Sequence, residues 1–503
     1  MGWRRSLAVG SAVATAAVAG YDLIQRQHAI LRTFPILGHF RYLLEDVGPE
    51  LRQYIVASNT DGMPFNRDQR RWIYASAKAE NNYFAFGTVQ ELERSPNYLI
   101  IKHAPFPLPR PRLGDPTYDP QYPIPVAKVL GAARGRRHAF RPASVVNVSG
   151  MSFGSLSGNA IAALNEGARI TGCLHNTGEG GLSPHHQHGG ELIWQLGSGY
   201  FGARDDRGRL DLSKLKDVVA ANPVRAIEIK LSQGAKPGLG GMLPASKVSA
   251  EIAAIRGIPL GQDCLSPANH PEFSDVDSML DFVERLATET GLPVGIKSAV
   301  GEQSLWVELA DRMAREDRGV DFITIDGGEG GTGAAPLAFA DQVALPFKIG
   351  FSRIYAEFAG RGIADRVVFT GSAKLGFPEE ALLAFALGCD FVNVGREAMM
   401  AIGCIQAQRC HTGRCPTGVA TQNPWLTRGL VPEVKAPRLA NYVITLRREL
   451  LALSRACGVP GPEGVSLDSF DMLDDQFGAR PAREVFGYEP GWGVPAAGNP
   501  SEA

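Results

Sequence analysis

The chain has 503 residues with 51 Lys+Arg against 52 Asp+Glu, a formal net charge of -1, so no global basic field marks it for nucleic acid. Its 44% apolar content and 58 glycines fit a loop-rich α/β enzyme long enough for one large barrel with additions. Seven cysteines in so long a chain do not make a disulfide scaffold and point to a reducing compartment.

Residues 1–24 place Arg4 and Arg5 before the apolar run 7–20. The expectation is a single-pass membrane anchor with the catalytic domain on the cytoplasmic side. The run is alanine-rich and short against the roughly 20 residues that a span needs. A cleaved signal ending at Ala17-Val18-Ala19, a twin-arginine export signal and a soluble helix are the alternatives. Arg26, Arg32 and Arg41 balance the first arginines, so charge does not set an orientation.

Residues 25–142 mix amphipathic stretches such as 40–51 with many prolines between Pro105 and Pro125. They are expected to form a helical and extended segment over one end of the main domain. The polar stretch 59–83 offers no chemistry of its own.

In 143–430, eight short apolar runs alternate with helical stretches: 144–149, 173–176, 192–196, 226–231, 292–297, 322–326, 367–370 and 391–394. This predicts an α/β fold, a closed (β/α)8 TIM barrel. An open doubly wound sheet would want G-x-G-x-x-G after the first strand, where this chain reads G-M-S-F-G-S-L-S.

Barrel chemistry sits at the C-terminal strand ends. The loops there carry Ser149, Met151 and Ser152 after the first strand, Glu179 after the second, Lys230, Gln233 and Lys236 after the fourth, Lys297 after the fifth and Glu329 after the sixth. Gly371-Ser372 and Gly395-Arg396 end the last two strands, where barrels commonly bind phosphate. Taken together the loops suit flavin mononucleotide (FMN). Lys230, Lys236 and Lys297 would stabilise an anionic reduced flavin or a substrate carboxylate, and Glu179 and Glu329 would balance them or relay a proton. Tight turns and salt-bridged supports are the plainer readings of the same glycines and lysines. His185, His186 and His188 are either a polar loop or a metal site.

Beyond the last strand come Cys404, Cys410 and Cys415. Three thiolates, with Pro416-Thr417-Gly418 turning directly after them, match a [3Fe-4S] cluster, one sulfur per iron. Zinc with His411 as a fourth ligand and three reduced core cysteines remain open. Residues 431–503 contain a helix over 436–457, expected to pack on the barrel, and a tail from Pro481 expected to be loose.

Five segments, V-S-G-M-S-F-G-S-L-S (148–157), N-T-G-E-G-G (176–181), Q-G-A-K-P-G (233–238), G-G-T-G-A-A-P (330–336) and G-C-I-Q-A-Q-R-C-H-T-G-R-C-P-T-G-V-A-T-Q-N-P (403–424), resemble the synthase domain of glutamate synthase in its short standalone form. The resemblance implies FMN beside a [3Fe-4S] cluster, electrons reaching the flavin through the cluster, and hydride transfer to 2-iminoglutarate formed from 2-oxoglutarate and ammonia. It implies that Gln233 and Lys236 hold the 2-oxoacid and that Met151 and Ser152 touch the flavin ring. Two departures stand out: no glutaminase domain fits before residue 143, and Leu239-Gly240-Gly241-Met242 replaces the usual E-G-G-Q. Ammonia would then come from a partner or from solution, and electrons from a ferredoxin, a separate reductase or a membrane carrier. The alternatives are another imine or 2-oxoacid as substrate, or an electron-transfer subunit without a substrate of its own.

Overall fold

Each of the eight apolar runs is followed by glycine, serine or threonine and is buried on both faces, the condition for a parallel strand covered by helices. The computed structural model describes residues 2–25, 29–52, 56, 60–92 and 95–495. Its central strands are β1 (Val146–Val148), β2 (His175–Asn176), β3 (Leu192–Leu196), β4 (Val224–Lys230), β5 (Val294–Ser298), β6 (Phe322–Asp326), β7 (Val368–Ser372) and β8 (Phe391–Val394). All pairings are parallel and β8 returns to β1, closing the barrel that the sequence predicts.

Two strands differ in extent. β2 begins late because Leu174 N bonds to Asn147 Oδ1 at 2.8 Å rather than to a ladder partner. β7 runs on through Gly371 and Ser372, in register with Ile325 and Asp326, so the loop after it opens only at Ala373.

Charged pairs close the N-terminal end of the barrel. Asp390, just before β8, accepts from Lys128 Nζ at 3.1 Å and from Phe369 N at 2.8 Å. Asp321, just before β6, is bound by Arg136 Nε at 2.9 Å, while the other edge of that guanidinium grips Glu284 at 2.6 and 2.8 Å. The proline-rich stretch thereby ends as a plug on this face.

On the outside, the helix Gly158–Thr171 is capped by Ser157, whose side chain accepts from Ala160 N, and ends at Gly172 with φ 69°. The helix Pro432–Ala456 lies against it so closely that a Cβ on Gly167 would stand 2.8 Å from Leu439. That is the helix expected over 436–457. The segment after Pro481 departs from expectation: it forms the helix Ala482–Phe486, and Tyr488 is buried in a stack on Tyr355 with ring centroids 5.5 Å apart. Burial of an aromatic ring orders a stretch that composition alone marks as loose. Residues 496–503 lie outside the described residues, as does Arg26.

The chain divides into two compact units, 1–71 with 87–90, and 72–86 with 91–503, which holds the barrel. In the first, the helices Gly2–Ile24 and Leu37–Leu51 are tied by the buried Asp22, which accepts from Ile36 N at 2.8 Å and from His39 Nε2 at 2.9 Å. The membrane anchor expected over 1–24 is not supported: the segment is helical, but among the described residues no helix is long and apolar enough to cross a membrane. Alanine, glycine, serine and threonine supply most of its length, and these transfer too little apolar surface.

Arg136→Met leaves Asp321 buried without its cation and should cost about 3–5 kcal/mol, read as an earlier thermal unfolding transition. An unchanged transition would remove this plug from the account of stability.

Candidate functional site

Side chains two apart on a strand share a face, so Glu228 and Lys230 of β4 both point into the barrel. Glu228 Oε1 accepts from Asn176 Nδ2 at 2.8 Å and Gln195 Nε2 at 2.7 Å, and its Oε2 from Thr324 Oγ1 at 2.7 Å, on a strand two away. This fully buried carboxylate forms a polar floor that the apolar-run reading of the strand passes over.

One layer up, Lys230 and Lys297 sit opposite each other in register. Lys230 Nζ bonds to Glu179 Oε1 at 2.7 Å and Gln233 Oε1 at 2.6 Å, and Lys297 Nζ lies 3.6 Å from Asp326 Oδ2. Burial alone would push the Glu179 carboxyl up, but Lys230, with Lys236 and Arg256 further off, brings it below the ordinary carboxylate value. Lys236 is buried too, and its ammonium has no hydrogen-bond or ion-pair partner among the described residues. Burial and the neighbouring Lys230 pull that ammonium down, and Glu179 opposes them. His270 supports Lys230 from behind: Nε2 donates to Lys230 O at 2.9 Å, and Nδ1 accepts from Tyr200 OH at 2.9 Å.

Four of the predicted residues, Glu179, Lys230, Gln233 and Lys236, are thus brought together. Lys297 joins through the next loop: Asp326 Oδ2 also accepts from Gly234 N at 2.9 Å. Only glycine fits at 234, where a Cβ would stand 1.8 Å from Gly327 O. Beside this group the hairpin Met242–Leu243 with Cys264–Leu265 leaves Leu239 and Met242 exposed.

The first and second loops interleave. Met151 N donates to Asn176 O at 3.1 Å, and a Cβ on Gly178 would stand 2.8 Å from Ser152 N. Ser149 N bonds to Val394 O at 2.9 Å, and Gly395 lies against Ser149 and Met151, with a built Cβ 3.6 and 3.7 Å from them. His186 locks this corner as a neutral ring: Nε2 donates to Met151 O at 3.0 Å, and Nδ1 accepts from Ser183 N and Oγ at 3.2 and 2.8 Å. Burial pulls its pKa down to about 4. His185 turns away to Glu251 at 3.0 Å, and His188 binds Asn165 through its backbone, so the three histidines do not converge on a metal.

At the far side, Gly371 is a packing residue, its Cα facing Leu375, Phe347 and Cys389, and Ser372 O accepts from Gly327 N at 2.9 Å. The charge is carried instead by Lys374, which the sequence reading overlooks two residues further on, with φ 52°. Lys374 and Arg396 are both pulled down by burial, Lys374 also by Arg396 itself. Arg396 Nη2 donates to Glu329 O at 2.5 Å, while the Glu329 carboxylate accepts from Phe347 N at 2.8 Å and burial raises it.

The cysteines lie in a loop beyond the helix Arg396–Ala401 that bends through left-handed Gly403, Gln406, Gln408, Gly413 and Gly418. Tyr74 OH holds Cys404 O at 2.9 Å. Gln406 N lies 3.4 Å from Cys404 Sγ. Burial pushes the Cys404 thiol up to about 12 and raises Cys410, whereas backbone N–H groups of Ala420, Thr417 and Val419 outweigh burial at Cys415 and lower it. Each sulfur is close enough to feel another's charge, but among the described residues no group of three such side chains closes around a single metal ion.

Residues 133–460 match the conserved region in glutamate synthase. The chain is 37% identical to a glutamate synthase large subunit-like protein of Bacillus subtilis over 88% of this chain and 89% of that one. The chain belongs to the glutamate synthase family. It is 36% identical to the archaeal glutamate synthase (NADPH) of Methanocaldococcus jannaschii over 64% of this chain and 60% of that protein, and 31% identical to a large subunit-like protein of Rhizobium meliloti over 64% and 74%. The family match covers every strand of the barrel and all three cysteines of the loop.

A histidine held neutral below its unfolded value of 6.5 contributes stability that is whole above pH 6.5 and lost as pH falls toward about 4, because the unfolded chain takes up the proton first. Acidification should therefore lower the thermal midpoint with a slope of up to about 1.4 kcal/mol per pH unit for such a site. In His186→Gln the slope should be shallower; an identical slope would show that the ring does not titrate with unfolding.

Proposed function

We propose that this chain is an FMN- and [3Fe-4S]-dependent oxidoreductase of the glutamate synthase type that forms glutamate from 2-oxoglutarate and ammonia. The observation that carries this reading is the buried Lys236 ammonium, unpartnered among the described residues, beside the Lys230–Glu179 pair. A buried ammonium calls for an anion. A 2-oxoacid carboxylate supplies one.

The cofactor fit rests on the same kind of argument. Two partly buried cations, Lys374 and Arg396, stand beside each other after β7 and β8 and would hold the FMN phosphate. Ser149, Met151, Ser152 and Gly395 would border the ring, with Lys230 and Lys297 at its anionic edge. Bound there, FMN supplies the hydride that reduces an imine carbon. Cys404, Cys410 and Cys415 would hold the cluster, which supplies one-electron transfer. A cluster separates its thiolates, each on its own iron, which a single-ion geometry does not.

The chain's own residues bind and orient. Lys236 holds the carboxylate next to the oxo group, and Gln233, fixed by Lys230, orients it. Glu179, kept ionised by Lys230, holds the N–H of the imine formed when ammonia replaces the oxo oxygen as water. Hydride and one proton then give the amine. The electron donor is proposed to be a ferredoxin or a reductase subunit, and the ammonia to come from solution or a separate source. The exposed Leu239 and Met242 favour a second reading, with the same cofactors and a 2-oxoacid carrying a more apolar side chain.

Anaerobically purified protein should contain flavin and about three irons per chain, and its flavin absorption should shift with 2-oxoglutarate. A band that shifts only with apolar 2-oxoacids would select the second reading. Cys410→Ala should lose iron and keep flavin; full iron content would remove that cysteine from the ligand set. Lys236→Ala should weaken 2-oxoacid binding about 10- to 100-fold, as for a lost charged hydrogen bond, with flavin content unchanged. Equal affinity would dismiss its role.

A further inference from the structure

Lys247 follows the short strand Met242–Leu243 in the excursion between β4 and β5, and only 6% of it is exposed. Its Nζ donates to Cys410 O at 2.7 Å and to Ala420 O at 3.4 Å. Its Cε passes close to Gly413, where a built Cβ would stand 3.7 Å away. The ammonium therefore lies inside the bend that separates Cys410 from Cys415. No carboxylate pairs with it among the described residues, and the bend around it carries Cys410 and Cys415.

A buried ammonium bound only by carbonyl oxygens has its hydrogen bonds but not its countercharge. Lys128, Lys230 and Lys297 near the barrel ends each have a carboxylate within ion-pair distance, whereas among the described residues Lys247, like Lys236, does not. At Lys247 the negative charge has to come from the sulfurs. Neutral thiols cannot supply it, and thiolates bound to iron can.

We propose that Lys247 is a positioning residue of the cysteine loop that holds the Cys410 turn in place and, by its fixed charge, raises the reduction potential of the iron–sulfur cluster. This rests on the cluster reading above. One-electron reduction adds a negative charge inside the loop, and a cation fixed in a poorly polarisable surrounding favours that state. Lys247 rides on the excursion that also carries Leu239 and Met242, so the substrate side of the mouth and the cluster loop share one structural element.

The test uses the full chain, purified anaerobically as wild type, Lys247→Arg and Lys247→Met, with iron, sulfide and flavin analysis and a redox titration of the cluster followed by electron paramagnetic resonance. The arginine variant should keep iron and a potential near that of the wild type. The methionine variant should keep flavin and show a midpoint potential shifted to lower values, or lose iron where the arginine variant does not. Full iron with an unshifted potential in Lys247→Met would overturn the proposal, as would equal iron loss from both variants. A wild-type protein without iron is a different result: it would overturn the cluster reading itself, and the role of Lys247 with it.

Discussion

Removing lysine ammonium groups from water at the open end of the barrel is the constraint on which the rest of the site depends. β4 and β5 end in Lys230 and Lys297 at matching register, so two cations are placed side by side in a buried layer. Desolvation of that kind is tolerated only when countercharge is delivered to it. It is delivered by other loops, Glu179 from beyond β2 and Asp326 from the end of β6. Charge compensation therefore knits four strand ends into one mouth, and the backbone follows, with Gly234 pressed against Gly327 so that Asp326 can take both Lys297 and the Gly234 amide.

The opposite end obeys the same rule with a different result. Asp321 and Asp390 are each matched there by a cation, Arg136 and Lys128. At the mouth, Lys236 has no partner among the described residues, and Lys374 and Arg396 lie next to each other. Paired charge marks one end of the barrel, and a concentration of positive charge marks the end fit for anionic ligands. The cysteine loop repeats the pattern with Lys247, held by the two carbonyls of Cys410 and Ala420.

The eight strands were legible because each is a short aliphatic or β-branched run with a glycine-rich or polar stop, and a strand buried on both faces leaves that mark. The loop residues Glu179, Gln233, Lys230 and Lys236 were legible because polar residues at C-terminal strand ends have few structural reasons to be there. Lys374 is not legible because the apolar run 367–370 stops two residues short of the end of β7, which places Gly371 and Ser372 where the loop is expected to open. Nor is Glu228, since one acid within V-R-A-I-E-I-K reads as an outward position until the barrel closes around it. The expected anchor over 1–24 shows the reverse case, a helix well read as helix whose small residues fall short of a span.

By itself, then, the sequence determined the local elements, the parallel α/β class, the family and the set of side chains offered at the mouth, because these depend on periodicity, strand-end chemistry and motif spacing within short windows. Only the tertiary structure decided which of those groups neutralise one another. His270 under Lys230, Thr324 across from Glu228, Arg396 beside Lys374 and Lys247 inside the cysteine loop are pairings between residues far apart in the chain. Such pairings are set by barrel closure and register, and the energy of a buried charge depends on its neighbours in space rather than in sequence.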